Sequence, residues 1–215
     1  MIKGAIFDMD GTLLDSMGVW NSLGAQSLLD RGIEPEPNLE DKLKTFTLEE
    51  SAEYCRKRYN IDIPAEEIIG TIKKNLLTAY SETILLKENV KIFLEKLKNR
   101  GVKMCVATVT DSRLAEVALR RLGIRDYFTQ IFNCDENAMG KREPDIYRKA
   151  LAHLGTSKGE TVVFEDTIHA LTTAKNDGFI TAAVYDRHEK KQDEMKITAD
   201  YYISDYSDFD FSNFD

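Results

Sequence analysis

The apolar run from Lys3 to Phe7 stops abruptly at Asp8-Met9-Asp10-Gly11-Thr12. A short apolar run bounded by a turn predicts a buried strand opening into a loop, with both carboxylates at the strand's C-terminal end. From Met17 to about Tyr80 the spacing changes. Met17, Trp20, Leu23 and Ser27-Leu28, then Leu48, Ala52, Cys55 and Tyr59, then Ile68, Ile72, Leu76 and Tyr80 recur at three- to four-residue intervals. That stretch is predicted to be helical, with no strand.

Beyond it, helix and strand alternate. Val90, Phe93, Leu94 and Leu97 mark a helix closed by Gly101. Lys103 to Ala107 reads as a strand followed by Thr108-Val109-Thr110-Asp111, with Thr110 or Asp111 as the N-cap of a helix whose apolar positions are Leu114, Val117, Ala118 and Leu122. A short strand near Gln130-Ile131-Phe132, a helix from Pro144 to Leu154 and a strand from Thr161 to Phe164 follow, Pro144 suiting a first helical turn. The strand runs into Glu165-Asp166, a helix ends at Gly178, and strands at Ile180 to Val184 and Tyr201 to Ile203 complete the alternation.

Repeated strand–helix units predict an α/β fold, a parallel sheet covered on both faces. In such open sheets ligands bind outside the carboxyl ends of the strands. Asp8, Thr108 and Asp166 each follow an apolar strand directly, so three strands deliver polar groups to one edge. A helical segment inserted after the first strand would roof that edge.

Composition narrows the function without naming it. At 215 residues the chain has room for a core domain with a smaller insertion. Its 42% apolar and 31% charged content is that of a folded chain rather than a disordered one. A net charge of −8 argues against a nucleic-acid surface, which needs clustered Lys and Arg, but a local cation can still draw a small phosphate into one cleft. Cys55, Cys105 and Cys134 are odd in number and widely spaced, indicating neither a disulfide framework nor a zinc site. No run is long enough to span a membrane and no signal-peptide core opens the sequence, so a cytoplasmic monomer is expected. The acidic, Phe-dotted segment from Asp205 to Asp215 is expected to be a solvated, partly docked terminus.

Two carboxylates one residue apart repel each other unless a cation lies between them or one keeps its proton. Both conditions suit phosphoryl transfer: Asp8 attacks phosphorus, and Asp10 protonates the leaving oxygen and then deprotonates the hydrolytic water. Gly11 would let the backbone approach the phosphoryl group, and Thr12 could cap the turn. An isolated Asp-x-Asp-Gly also builds a plain Asx-turn, so the motif needs its context.

That context is Asp8-Met9-Asp10-Gly11-Thr12-Leu13-Leu14-Asp15-Ser16, which resembles the first signature of the haloacid dehalogenase-like superfamily of phosphohydrolases. Thr108 looks like the second signature, whose hydroxyl and neighbouring backbone N–H, here that of Val109, hold the phosphoryl group. Lys141, in Gly140-Lys141-Arg142-Glu143-Pro144, resembles the third, where the ammonium neutralises nucleophile and phosphate; Arg142 stands where the family often has Pro. Phe164-Glu165-Asp166-Thr167 looks like the fourth. The resemblance implies that Asp8, the backbone carbonyl of Asp10, and Asp166 hold Mg²⁺, with Glu165 a ligand or its support. His169 and Ala170 depart from the small residue and Gly often found in the next turn.

The resemblance further implies a Rossmann-like parallel-sheet core, residues 1–15 and 83–215, with an inserted α-helical cap, residues 16–82, that closes over a small phosphorylated substrate. Thr12 favours the hydrolases over a phosphomutase of the beta-phosphoglucomutase type, which uses the same Asp pair. Asp10 counts against dehalogenation, which needs no proton donor for its leaving group. A receiver-like phospho-acceptor module fits neither the long cap nor the place of Asp8 after the first strand. Arg56, Lys57 and Arg58, and Met17 and Trp20, are the cap residues with chemistry to offer, although a solvated face and core packing account for them too.

Overall fold

The computed structural model describes residues 1–43, 46, 48–134 and 140–214. Its apolar runs become six strands: β1 (Gly4–Phe7), β2 (Lys103–Thr108), β3 (Ile131–Asn133), β4 (Thr161–Glu165), β5 (Ile180–Val184) and β6 (Tyr201–Ile203). They form one sheet in the order β3-β2-β1-β4-β5-β6, every neighbouring pair parallel. This is the doubly wound Rossmann-type order, as the α/β reading predicts. The order reverses between β1 and β4, and a crevice opens at such a reversal at the carboxyl ends of the strands.

The helices are α1 (Met17–Leu29), α2 (Leu39–Leu43), α3 (Leu48–Arg58), α4 (Ala65–Thr78), α5 (Val90–Asn99), α6 (Ser112–Arg121), α7 (Asp145–Leu154), α8 (Ile168–Asn176) and α9 (Gln192–Thr198). Two compact units result: residues 1–15 with 84–215, and residues 16–83.

In the sheet unit the central strands β1, β2 and β4 are buried on both faces, which is why they read as apolar runs, whereas β3 and β6 at the edges are half-buried. Ile6, Cys105 and Val163 pack against Ile146, Tyr147, Ala150 and Leu154 of α7. Phe7 points the other way. Its ring stacks on Phe164 with centroids 4.3 Å apart, level with it in the register, and meets Phe93 of α5 edge-on. Phe93 also contacts Tyr206, Phe209 and Phe211, with centroids between 4.8 and 5.4 Å. The C-terminal segment is thus partly docked as expected, through Tyr206, Phe209, Phe211 and Phe214, with Ser207, Asp208, Asp210 and Ser212 exposed; Asp215 lies outside the described residues. Aromatic area outweighs the Asp and Ser residues between the rings, which point to water.

Two helices differ from the sequence reading. Helix α6 has Asp111 as its N-cap, the carboxylate accepting from the amides of Arg113 and Leu114, and it buries Ala115, Ala118 and Leu119 while Val117 is exposed. Helix α9 was not foreseen. It offers one buried side chain, Met195, too little for a periodic signal.

The helical unit has its own core, in which Leu28, Leu39 and Cys55 pack with Ile33, Leu43, Tyr54, Tyr59 and Ile61. Trp20 Nε1 donates to the Tyr80 hydroxyl at 2.8 Å, so the indole has a structural partner. Arg56 and Lys57 pair with Glu53, and Arg58 pairs with Glu36. Among the described residues no helix is long and apolar enough to cross a membrane.

Candidate active site

The register of the sheet assembles the site. Phe7 of β1 is level with Phe164 of β4, so Asp8, the residue after β1, and Glu165, the last residue of β4, stand side by side where the strand order reverses. The Asp8 amide still donates to the Phe164 carbonyl at 3.0 Å. One carboxylate oxygen from each of Asp8, Glu165 and Asp166 falls within 4.8 Å of the others, and all three residues are buried.

Lys141 reaches this cluster from the turn Gly140–Arg142. Its buried ammonium donates to Asp8 Oδ1 and, at 2.8 Å, to Glu165 Oε1. The Tyr147 hydroxyl donates to the same Glu165 oxygen at 2.6 Å. Glu165 Oε1 is therefore held from two sides.

One ammonium does not balance three buried carboxylates. Burial pushes the Asp8 carboxyl up to about 7; the Lys141 charge opposes this, and Glu165 and Asp10 add to it. Asp166 is raised well above the ordinary carboxylate range by burial and by the charges of Asp8 and Glu165. Burial works against the Lys141 ammonium, but Asp8 and Glu165 outweigh it and hold it above its ordinary value. Dry, crowded carboxylates with raised proton affinity fit a hard divalent cation, which prefers carboxylate oxygen.

Asp10 stands two residues past Asp8 in a tight loop. Gly11 has φ +81°, a conformation a side chain disfavours, and the turn is closed by backbone bonds from Leu13 and Leu14 to the Met9 carbonyl. Thr12 does not cap it: its buried hydroxyl has no hydrogen-bond partner among the described residues, while its carbonyl accepts from the Tyr206 hydroxyl at 3.1 Å. Asp10 Oδ2 accepts from the Thr110 hydroxyl at 2.6 Å. Thr108 is buried at the end of β2, and the side chain of Val109 is exposed, leaving only its backbone to offer.

Asp8, Glu165 and Asp166 are thus brought together, Lys141 bonds to Asp8 and Glu165, and Thr110 ties Asp10 to the end of β2 beside Thr108. Arg142 and His169 are exposed. Sequence reasoning missed Tyr147, Thr110 and Asp186. Tyr147 reads as one more apolar position on α7, and only its hydroxyl sets it apart from Ile146 and Ala150. Buried Asp186, paired with Lys87 at 3.0 Å, stands two residues past the end of β5, and its place at the carboxyl end of a strand was its available signal.

The model of the family described as haloacid dehalogenase-like hydrolase matches residues 5–184. The chain belongs to that family. This hydrolase is 29% identical over 179 residues to a Thermotoga maritima protein named phosphorylated carbohydrates phosphatase, with 82% of each chain covered. It is 24% identical over 206 residues to hexitol phosphatase B of Escherichia coli, covering 94% of this chain and 92% of the relative. Among solved structures, CbbY from Rhodobacter sphaeroides in complex with phosphate superposes with a TM-score of 0.74 at 24% identity, covering 97% of this chain and 96% of that one. A family IA hydrolase from Entamoeba histolytica gives 0.80 at 22% identity, covering 99% and 97%. These structural likenesses establish a shared fold.

Proposed function

We propose that this hydrolase is a Mg²⁺-dependent phosphatase of small phosphorylated metabolites, acting through an aspartyl-phosphate on Asp8. The buried Asp8–Glu165–Asp166 cluster with Lys141 against it carries the reading, because a carboxylate can attack an anionic ester only where positive charge is concentrated. Relatives named for phosphorylated carbohydrates and hexitols support a phosphorylated carbohydrate as the substrate class.

An oxygen of Asp8 attacks phosphorus, and the bond to the leaving oxygen breaks as Asp10 gives that oxygen a proton. Asp10 then takes a proton from the water that attacks the phosphorus of the aspartyl-phosphate, releasing phosphate and regenerating the Asp8 carboxylate. Lys141 neutralises Asp8 and the phosphoryl oxygens, and the Thr108 hydroxyl and Val109 N–H hold those oxygens. Asp8, Asp166 and the Asp10 carbonyl would hold Mg²⁺, with Glu165, whose Oε1 is taken by Lys141 and Tyr147, as a ligand or as support for the lysine. The cation supplies screening of the repulsion between nucleophile and ester.

The test is Mg²⁺-dependent release of phosphate from an aryl phosphate and from a panel of sugar phosphates, with isomerised product measured alongside. Asp8→Asn is expected to reduce turnover to background. Undiminished turnover in that variant ends the proposal, and isomer formed without free phosphate replaces it with a phosphomutase.

A further inference from the structure

Thr110 touches two groups that the proposed reaction uses, yet the reaction as written does not call on it. Its hydroxyl lies 2.6 Å from Asp10 Oδ2, its backbone N–H donates to Thr108 Oγ1 at 3.0 Å, and it is 2% exposed. Thr110 is itself fixed from both sides. The side-chain amide of Asn133, at the end of β3, donates to the Thr110 carbonyl, and the next residue, Asp111, caps α6. We propose that Thr110 is a positioning residue whose hydroxyl orients Asp10 for proton transfer, a role that rests on the aspartyl-phosphate reading above.

The terminal torsion of an aspartate is broad, so an unanchored carboxyl samples many orientations. A general acid must meet its proton acceptor within hydrogen-bond reach, and a misplacement of about 1 Å costs on the order of a hundredfold in rate. A hydroxyl suits the anchoring task because it carries one donor and two acceptor sites. It donates to Asp10 as carboxylate and accepts from Asp10 as acid, so the contact survives both halves of the reaction. An ammonium could only donate. When Asp10 passes its proton to the leaving oxygen and later takes one from water, Thr110 gains and loses none. At Thr108, accepting the Thr110 N–H occupies one lone pair and leaves the hydroxyl proton for a phosphoryl oxygen.

The test compares Thr110→Val, close to threonine in shape but without the hydroxyl, with Thr110→Ser, on two esters in the full-length protein with Mg²⁺. An alkyl phosphate needs its leaving oxygen protonated; dinitrophenyl phosphate does not. General acid catalysis is worth about 10²–10⁴-fold, so misorienting the acid is expected to slow enzyme phosphorylation by the alkyl ester about 10–100-fold in Thr110→Val, with KM changed by less than about threefold. Phosphorylation by the dinitrophenyl ester is expected at the wild-type rate, followed by slow phosphate release, seen as a burst of dinitrophenol. Thr110→Ser is expected to restore both steps. If Thr110→Val does not fold, as judged by circular dichroism, Thr110→Ala serves as the deletion and the same ester-selective loss is expected.

Equal slowing of the first step with both esters, a rise in KM at unchanged kcat, or a serine variant no better than the deletion overturns the proposal. Asp8→Asn separates the two readings. If it keeps turnover, the aspartyl-phosphate itself is wrong; if it is inactive and the deletion shows no ester selectivity, only the role of Thr110 fails.

Discussion

Glu53 in the helical unit and Asp8 in the sheet unit are both carboxylates beside cations, and their proton affinities move in opposite directions. Glu53 accepts from Arg56 and Lys57 at the surface of α3, and those hydrogen bonds hold it down to about 2. Asp8 has the Lys141 ammonium against it and still rises to about 7, because burial outweighs the attraction. Water decides the sign. At the surface it screens the pair and solvates what is left over, whereas at the carboxyl ends of β1 and β4 each added negative charge counts nearly in full. A salt bridge is therefore no guide to function by itself; what distinguishes Asp8 is that its proton affinity rises in spite of one.

The comparison can be broken at several points. Lys141→Met should have the largest effect on stability, about 3–5 kcal/mol, since it leaves Asp8 and Glu165 buried without their ammonium. Urea denaturation checks it, and a loss no larger than that of a surface variant contradicts the account of the cluster. Mg²⁺ should come next. The Asp8 carboxyl is raised in the folded protein from 3.8 to about 7, so the stability it contributes in the metal-free state is complete below about pH 4 and is lost as the pH rises through about 7. A bound cation would compete with protons for this cluster. Saturating Mg²⁺ is expected to raise the melting temperature by about 5–10 °C near pH 8 and by much less near pH 5.5, compared with chelator.

Tyr147→Phe removes one of the two donors to Glu165 Oε1 and should cost about 1–2 kcal/mol, measured in the same denaturation series. Glu53→Gln should be the smallest change, leaving the melting temperature and phosphatase activity at the wild-type level. If the melting temperature fell as far as in Tyr147→Phe, the contrast between surface and interior would be lost.

What the sequence discloses follows from what is local. The strands were legible because a parallel sheet buried on both faces writes itself as apolar runs, and Gly101 and Gly178 end their helices where the periodicity stops. In helix α6 the expected Ala118 is buried, but Val117, the larger apolar side chain, is exposed while the smaller Ala115 and the neighbouring Leu119 face inward. The C-terminal rings were hidden by their Asp and Ser neighbours, since an average over polarity does not see that Phe209 and Phe211 share a target in Phe93. In the candidate site, the paired carboxylates and Lys141 could be named from their motifs. The bonds from Thr110 to Asp10 and from Tyr147 to Glu165 could not, because each joins strands or helices that only the folded sheet brings together.

The amide of Asp8 is a member of the β1–β4 ladder, hydrogen-bonded to Phe164 at the centre of the sheet. An attacking group placed on a mobile loop could drift out of alignment while the rest of the protein stayed intact. Here the backbone beneath the proposed nucleophile opens only when the middle of the sheet opens. Its alignment with Glu165 is then as durable as the native state itself, and the last amide protons to exchange with deuterated solvent should include the one on Asp8.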